Sequence, residues 1–388
     1  MGSNINFNVF KDFVKSNNFG GILLFLCVIL SLIVANSPLS QKLQDILDKS
    51  IGFENANVHL NYSVSMWIND GLMAVFFLLV GLEIKREIVE GELSSPKKAL
   101  LPILCAVGGA IFPAAIFVML NSGSETASGW AIPMATDIAF ALAVISLLGN
   151  RVPASLKIFL AALAIVDDLI AIIVIAFFYS SGIELAYIGY AAAFMLVLVL
   201  MNRLNVKNPY LYLIPGVFVW YFIHHSGIHA TIAGVMVAMT LPTNDTNVES
   251  QLERLEHALV KPVNFFIIPL FAFANTNITL QSEMLHGLTS PLGLGIFFGL
   301  LVCKPVGILL TSWICTRLGV GTLPEGSRWK HIIGVGLLAG IGFTMSIFIS
   351  NLSFNNPLFV SEAKLSVLLT SVIAGTAGFI ILRVNSNK

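Results

Sequence analysis

Apolar residues in this chain gather in long runs separated by short polar stretches. A helix needs about 20 mostly apolar residues to cross a bilayer. Runs of that kind fall near 20–36, 66–84, 99–120, 130–149, 155–179, 185–202, 209–223, 228–241, 262–280, 291–314, 331–352 and 364–383. They predict an all-α membrane protein of about twelve transmembrane helices, because a backbone facing lipid must satisfy its own hydrogen bonds. Ahead of the first run, Phe7, Phe10, Phe13 and Val14 alternate with polar residues over 5–15, which predicts an interfacial amphipathic helix before an uncleaved first span. Most loops are short, so residues 1–388 read as one transmembrane unit. The two longer ones are 37–65, where Val58–Val64 alternates like a small β-hairpin, and 242–261, which carries Glu249, Glu253, Arg254, Glu256 and His257. His224 and His225 are expected in a short solvated loop.

Composition agrees with the run pattern. Apolar residues make up 56% of the chain and charged ones 11%, against about 25% charged in a soluble domain. The formal net charge is zero, which gives no footing for nucleic acid. Cys27, Cys105, Cys303 and Cys315 lie in or beside apolar runs, without metal or redox spacing, and the histidines show no ligand spacing either. No cofactor is therefore expected. The basic residues orient the chain: with twelve spans, 17 of the 21 lysines and arginines fall on the side holding both termini. Only Lys42, Lys49 and Lys364 fall on the other side, and Lys304 lies within a span. The excess of positive charge predicts cytoplasmic termini in a cell membrane.

Four ionisable side chains stand out inside the apolar runs: Asp137, Asp167, Asp168 and Lys304. Each such residue costs about 2.5–3.5 kcal/mol at the centre of a span, so the default reading is functional. The bland alternative is a set of structural ion pairs, yet one lysine cannot neutralise three carboxylates. Asp167 and Asp168 are neighbours and point about 100° apart on a helix. That favours a division of labour, with one carboxylate as cation ligand and the other as lysine partner or auxiliary ligand. A carboxylate in an apolar cavity ionises reluctantly, and hard cations prefer oxygen ligands. Such a site holds a proton or a sodium ion, not both, and alternate exposure to the two sides would make it an exchanger. A passive cation channel is the nearest rival. An intramembrane aspartyl protease, with Asp137 and Asp168 sharing a proton, is a remoter one.

Two runs carry breaks. Pro133, four residues before Asp137, opposes the carbonyl of Gly129. Gly334, Gly336, Gly340 and Gly342 crowd the run at 331–352; they serve either an open helix or close packing. The breaks fall in the middle spans of the groups 3–5 and 10–12, whose first spans run in opposite directions. Inverted-topology repeats with interrupted helices at spans 4 and 11 follow, and the repeats make a core bundle of 99–179 with 291–383.

The chain resembles the bacterial NhaA sodium/proton antiporter family. The matching stretches are Trp67–Glu87, Trp130–Ala141, Lys157–Asp168, Ser226–Gly234, Pro269–Asn275, Lys304–Gly307 and Gly340–Ser346. Paired interrupted spans point to a transporter's site, a rule for which NhaA is itself a type example. The resemblance implies that Asp167 and Asp168 carry Na⁺ or Li⁺ and protons. It implies that Thr136 and Asp137 lie where the interrupted helices cross, and that Lys304 compensates charge there. It implies a pH response through Glu83, Glu87, Glu256, His257 and His229. It also implies electrogenic exchange, two interrupted helices (spans 4 and 11) that cross, scaffold and dimer-interface helices over 20–90 and 185–280, and a homodimer joined partly through 37–65. Glu253 and Val260 depart from the family's pattern, which places a lysine and a histidine there.

Overall fold

The computed structural model describes residues 7–55, 59–180, 182–243, 249–280 and 287–385, without the side chains of 7–19 and 97. It is mostly helical, at 78%. In chain order the helices are α1 (Phe7–Ala35), α2 (Ser40–Asp48), α3 (Met73–Val89), α4 (Pro96–Asn121), α5 (Ile138–Ser146), α6 (Ala154–Phe178) and α7 (Leu185–Arg203). There follow α8 (Leu213–His225), α9 (Ile232–Thr240), α10 (Gln251–Asn275), α11 (Pro291–Arg317), α12 (Trp329–Ala339), α13 (Phe343–Ser353) and α14 (Pro357–Asn385). Every apolar run holds helix. Among the described residues seven helical stretches are long and apolar enough to cross a membrane, or up to nine if each of two bent pairs is one span. The shorter α8 and α9 fall below that length.

Several local expectations change. The segment expected to be a separate interfacial helix is continuous with the first span in α1; the side chains of Phe7, Phe10, Phe13 and Val14 lie outside the described residues. Only Tyr62–Ser63 of the alternating stretch forms a strand, β2, and its partner is β1 (Ser50–Ile51); Val58 lies outside the described residues. His224 and His225 end α8 rather than lying in a loop. The loop at 242–261 gives way to helix at Gln251, where Ser250 and Glu253 form a reciprocal capping box.

Prolines explain the wide turns inside the long helices. A proline lacks the N–H that closes an α-helical turn and crowds the carbonyl four residues back. Pro269 follows the π turn Val263–Ile267, and Pro305 follows the π turn Gly299–Cys303. The second turn delivers Lys304 at its end.

The chain forms two compact units, each assembled from distant segments. One comprises 1–23, 92–171 and 281–388, the other 24–91 and 172–280. In the first, α4 packs against α11 through glycines: a Cβ on Gly307 would stand 2.5 Å from the carbonyl oxygen of Gly108. In the second, α3 and α9 meet in the same way. A Cβ on Gly234 would stand 2.2 Å from the Ala74 carbonyl oxygen, and one on Gly81 would stand 2.8 Å from Ala238. Lipid gives no hydrophobic drive for helix association, so close backbone approach through small residues has to supply it. Gly234→Val should therefore lower the melting temperature in detergent by several degrees, since overpacking costs about 1–3 kcal/mol. Gly189→Ala, whose Cβ would meet nothing within 4 Å, should leave it unchanged; equal melting of the two variants would show that this contact does not hold α3 to α9.

Candidate functional site

Both interruptions lie in the first unit. The chain is a 3₁₀ helix over Ala127–Met134, extended at Ala135, and α-helical again from Ile138. The other break separates α12 from α13, which bend by 44°. Gly340 sits at this break with no room for a side chain: a Cβ would stand 2.3 Å from the Leu300 carbonyl oxygen. The two breaks touch, with the Asp137 N–H donating to the Ile341 carbonyl at 2.6 Å.

Four helix ends converge here, each with free backbone groups and a partial charge. Asp137 serves both amino ends. Its Oδ1 accepts from the Phe140 N–H at 2.9 Å, capping α5. Its Oδ2 accepts from the Thr344 N–H at 3.0 Å and the Thr344 hydroxyl at 2.7 Å, at the start of α13. The carboxyl ends meet donors instead. Lys304 Nζ donates to the Met134 carbonyl, closing the 3₁₀ segment. Thr136 Oγ1 stands 2.8 Å from the Ala339 carbonyl, the end of α12. Ser346 Oγ adds a bond to the Ile132 carbonyl at 2.6 Å.

These caps join the carboxylates of α6. Lys304 Nζ lies 2.8 Å from Asp167 Oδ2, and both side chains are fully buried. Thr136 Oγ1 lies 2.6 Å from the same oxygen. The threonine hydroxyl has one proton, so it serves Asp167 or Ala339 at a given moment. Of the two adjacent aspartates, Asp167 therefore takes the lysine, while Asp168 is buried beside it within electrostatic reach of Lys304. Thr136, Asp137, Asp167, Asp168 and Lys304 thus form one constellation. No group of three or more His, Cys, Asp or Glu side chains among the described residues could hold a metal ion.

The residues expected to respond to pH do not form one group; the second unit divides them. Glu83 and Glu256 are buried around Arg86, whose Nε lies 3.0 Å from Glu256 Oε2 and whose Nη1 lies 3.0 Å from Glu87. His257, next to Glu256 on α10, turns to Glu249 at 3.0 Å and is partly exposed. His229 lies elsewhere, with Nε2 3.9 Å from Asp70 and Nδ1 3.0 Å from the Thr231 hydroxyl. His224 joins it, 3.6 Å from Asp70. Asp70 is 13 residues from Glu83, about 20 Å at a helical rise. Asp70 escaped the sequence reading, although an aspartate inside the run at 66–84 carries the same kind of signal as Asp137.

Buried charge held at two touching helix breaks, in a scaffold of apolar spanning helices, defines a multi-pass membrane protein of the ion-carrier type. The chain belongs to the Na⁺/H⁺ antiporter 1 family, whose model matches residues 11–382. It is 59% identical over 390 residues to the Na⁺/H⁺ antiporter NhaA 2 of Flavobacterium johnsoniae, covering 100% of this chain and 96% of the relative. It is 46% identical to the Na⁺/H⁺ antiporter NhaA of Yersinia enterocolitica, covering 97% of each. In fold it is similar to a sodium proton antiporter of Methanocaldococcus jannaschii, solved at pH 8, with a TM-score of 0.51 over 96% of this chain and 98% of that one at 14% identity.

The ion pair generates a stability prediction. Removing one partner of a buried pair costs about 3–5 kcal/mol, because the other charge is left alone. Lys304→Ala should therefore melt well below the parent in detergent, and adding Asp167→Asn should recover part of the loss. A double variant that melts lower than either single would show that the two charges do not compensate each other.

Proposed function

We propose that this protein is a secondary Na⁺(Li⁺)/H⁺ antiporter that exports sodium in exchange for protons by alternating access. The observation that carries the reading is the Lys304–Asp167 pair beside Asp168 at the two helix breaks. Asp168 and Asp167 supply the oxygens that hold either Na⁺ or protons. A sodium ion entering there competes with protons for the carboxylates and with the Lys304 ammonium for Asp167. Binding one cation type therefore expels another, which is the chemistry of exchange. Thr136, Asp137 and Lys304 hold the four helix ends while this happens. More than one proton per sodium makes the cycle electrogenic. The family relationship supports the choice of ions.

In this reading twelve spans cross the inner membrane of a bacterium with both termini in the cytoplasm. Spans 3–5 and 10–12 form inverted repeats, and spans 4 and 11 cross. Two copies associate through 37–65. Glu83, Glu87 and Glu256 sense cytoplasmic pH around Arg86. His257 contributes through its place beside Glu256, and His229 acts separately through Asp70.

Two measurements test the proposal, both by dequenching of a pH dye in everted vesicles. Asp168→Asn should abolish sodium-driven proton movement while the protein still inserts, and normal movement would remove Asp168 from the site. Glu256→Gln removes one negative charge from the acids around Arg86, so the negative field there weakens. The half-activation pH at saturating sodium should fall by about half a unit to one unit, with maximal exchange retained. An unmoved midpoint would put pH control in the competition at Asp167 and Asp168 alone.

A further inference from the structure

A surface cavity of about 830 Å³ on the first unit is not used by the exchange reaction. It lies between the end of α5 and the last turns of α14, and Leu147, Leu148, Arg151, Phe379 and Arg383 line it. Its size is that of a small-molecule site. Among the described residues, both charged side chains in its lining are arginines, and no carboxylate lines it.

The local chain is shaped to present these groups. Gly149 adopts φ +56°, a left-handed turn that ends the helical path after α5 and leads into Arg151. Lys157 Nζ donates to the Gly149 carbonyl at 2.7 Å and holds that turn while adding a third positive charge behind it. On α14, Phe379 and Arg383 are four residues apart and share a face, so the apolar ring lies one turn deeper than the guanidinium. Leu147 in the lining is a strongly exposed apolar side chain, as are Ile380 and Val384, which follow Phe379 and Arg383 on α14. Arg151 and Arg383 belong to the basic set that the sequence assigns to one side of the membrane.

We propose that this cavity binds the phosphate headgroup of an anionic phospholipid. Charge outermost and apolar surface beneath match the order of groups in a phospholipid entering from the leaflet. A planar guanidinium carries five donors in a fork that fits phosphate oxygens, so each arginine keeps donors for a lipid even while another of them is engaged. Basic pockets between spanning helices on the positively charged side suit acidic headgroups. The exposed leucine, isoleucine and valine would lie along the acyl chains. The occupant is thus a lipid rather than a free anion.

Native mass spectrometry of the full chain in detergent tests this with dioleoyl-phosphatidylglycerol, dioleoyl-phosphatidylcholine and inorganic phosphate. Phosphatidylglycerol should bind about tenfold more tightly than phosphatidylcholine. Arg151→Gln with Arg383→Gln should erase that preference, Arg151→Lys with Arg383→Lys should keep part of it, and Lys42→Gln with Lys49→Gln should leave it intact. If the arginine double variant fails to fold, hydrogen exchange of the unaltered protein in nanodiscs replaces it. Exchange at 147–153 and 379–385 should slow with phosphatidylglycerol and not with phosphatidylcholine. Equal binding of the two lipids, an undiminished preference in the glutamine double variant, or protection confined to other segments would overturn the assignment. Inorganic phosphate that displaces phosphatidylglycerol or gives the same protection would equally overturn it, in favour of a free-anion site.

Discussion

Everything in the core unit follows from one constraint: a helix broken inside a membrane leaves peptide groups that water cannot reach. Each such group costs several kcal/mol if it stays unsatisfied. Here the cost is met by a few side chains with two duties. Asp137 accepts from the amino ends of α5 and α13, while Lys304 and Thr136 donate to the carboxyl ends of the facing segments. Opposite partial charges are matched in place at both breaks.

The same side chains hold the carboxylate of Asp167. Lys304 touches Met134 and Asp167, and Thr136 touches Ala339 and Asp167. Any change in what occupies that carboxylate is therefore felt at once by two helix ends. Structural capping and the buried ion pair are not separate layers here; they share atoms.

Residue chemistry made much of this legible in advance. A proline before an aspartate, a glycine-dense run and a lysine in a span are each costly in lipid, and all three proved to lie in one constellation with Thr136. Which aspartate takes the lysine was not legible, because neighbours on a helix differ only in direction and the direction is set by packing. How Glu83, Glu87, Glu256, His257 and His229 are arranged was not legible for a related reason. Membrane topology places residues by side, but His229 lies at the other end of α3 from Glu83, and His257 is turned away from Glu256 by one helical step. The start of α10 was legible and overlooked: Ser250 and Glu253 have capping-box spacing, which moves Glu256 from a loop into a rigid second turn. Asp70 lies near the start of its run, where an ionisable side chain is a weaker signal than at mid-span.

One contact of the second unit bears on how ions gather. Lys85 lies beside Arg86 in sequence, yet its ammonium is committed to the carbonyls of Met239 and Leu241 at 2.7 and 2.6 Å, the end of α9. Among the described side chains it is Arg86 that is bonded to the acids at Glu87 and Glu256, with Glu83 buried close by. With all three ionised, the carboxylates outnumber that guanidinium by two, and the Lys85 ammonium, still charged, leaves a net charge of minus one. Such an imbalance works as a small fixed capacitor: it enriches its surroundings in whatever monovalent cation the solution holds, over a Debye length of about 8 Å at physiological ionic strength, and bulk potassium discharges it as readily as sodium. Under the proposed function, local enrichment and chemical choice of ion reside in different units of the protein, the first sensitive to total salt and the second to the oxygens at Asp167 and Asp168.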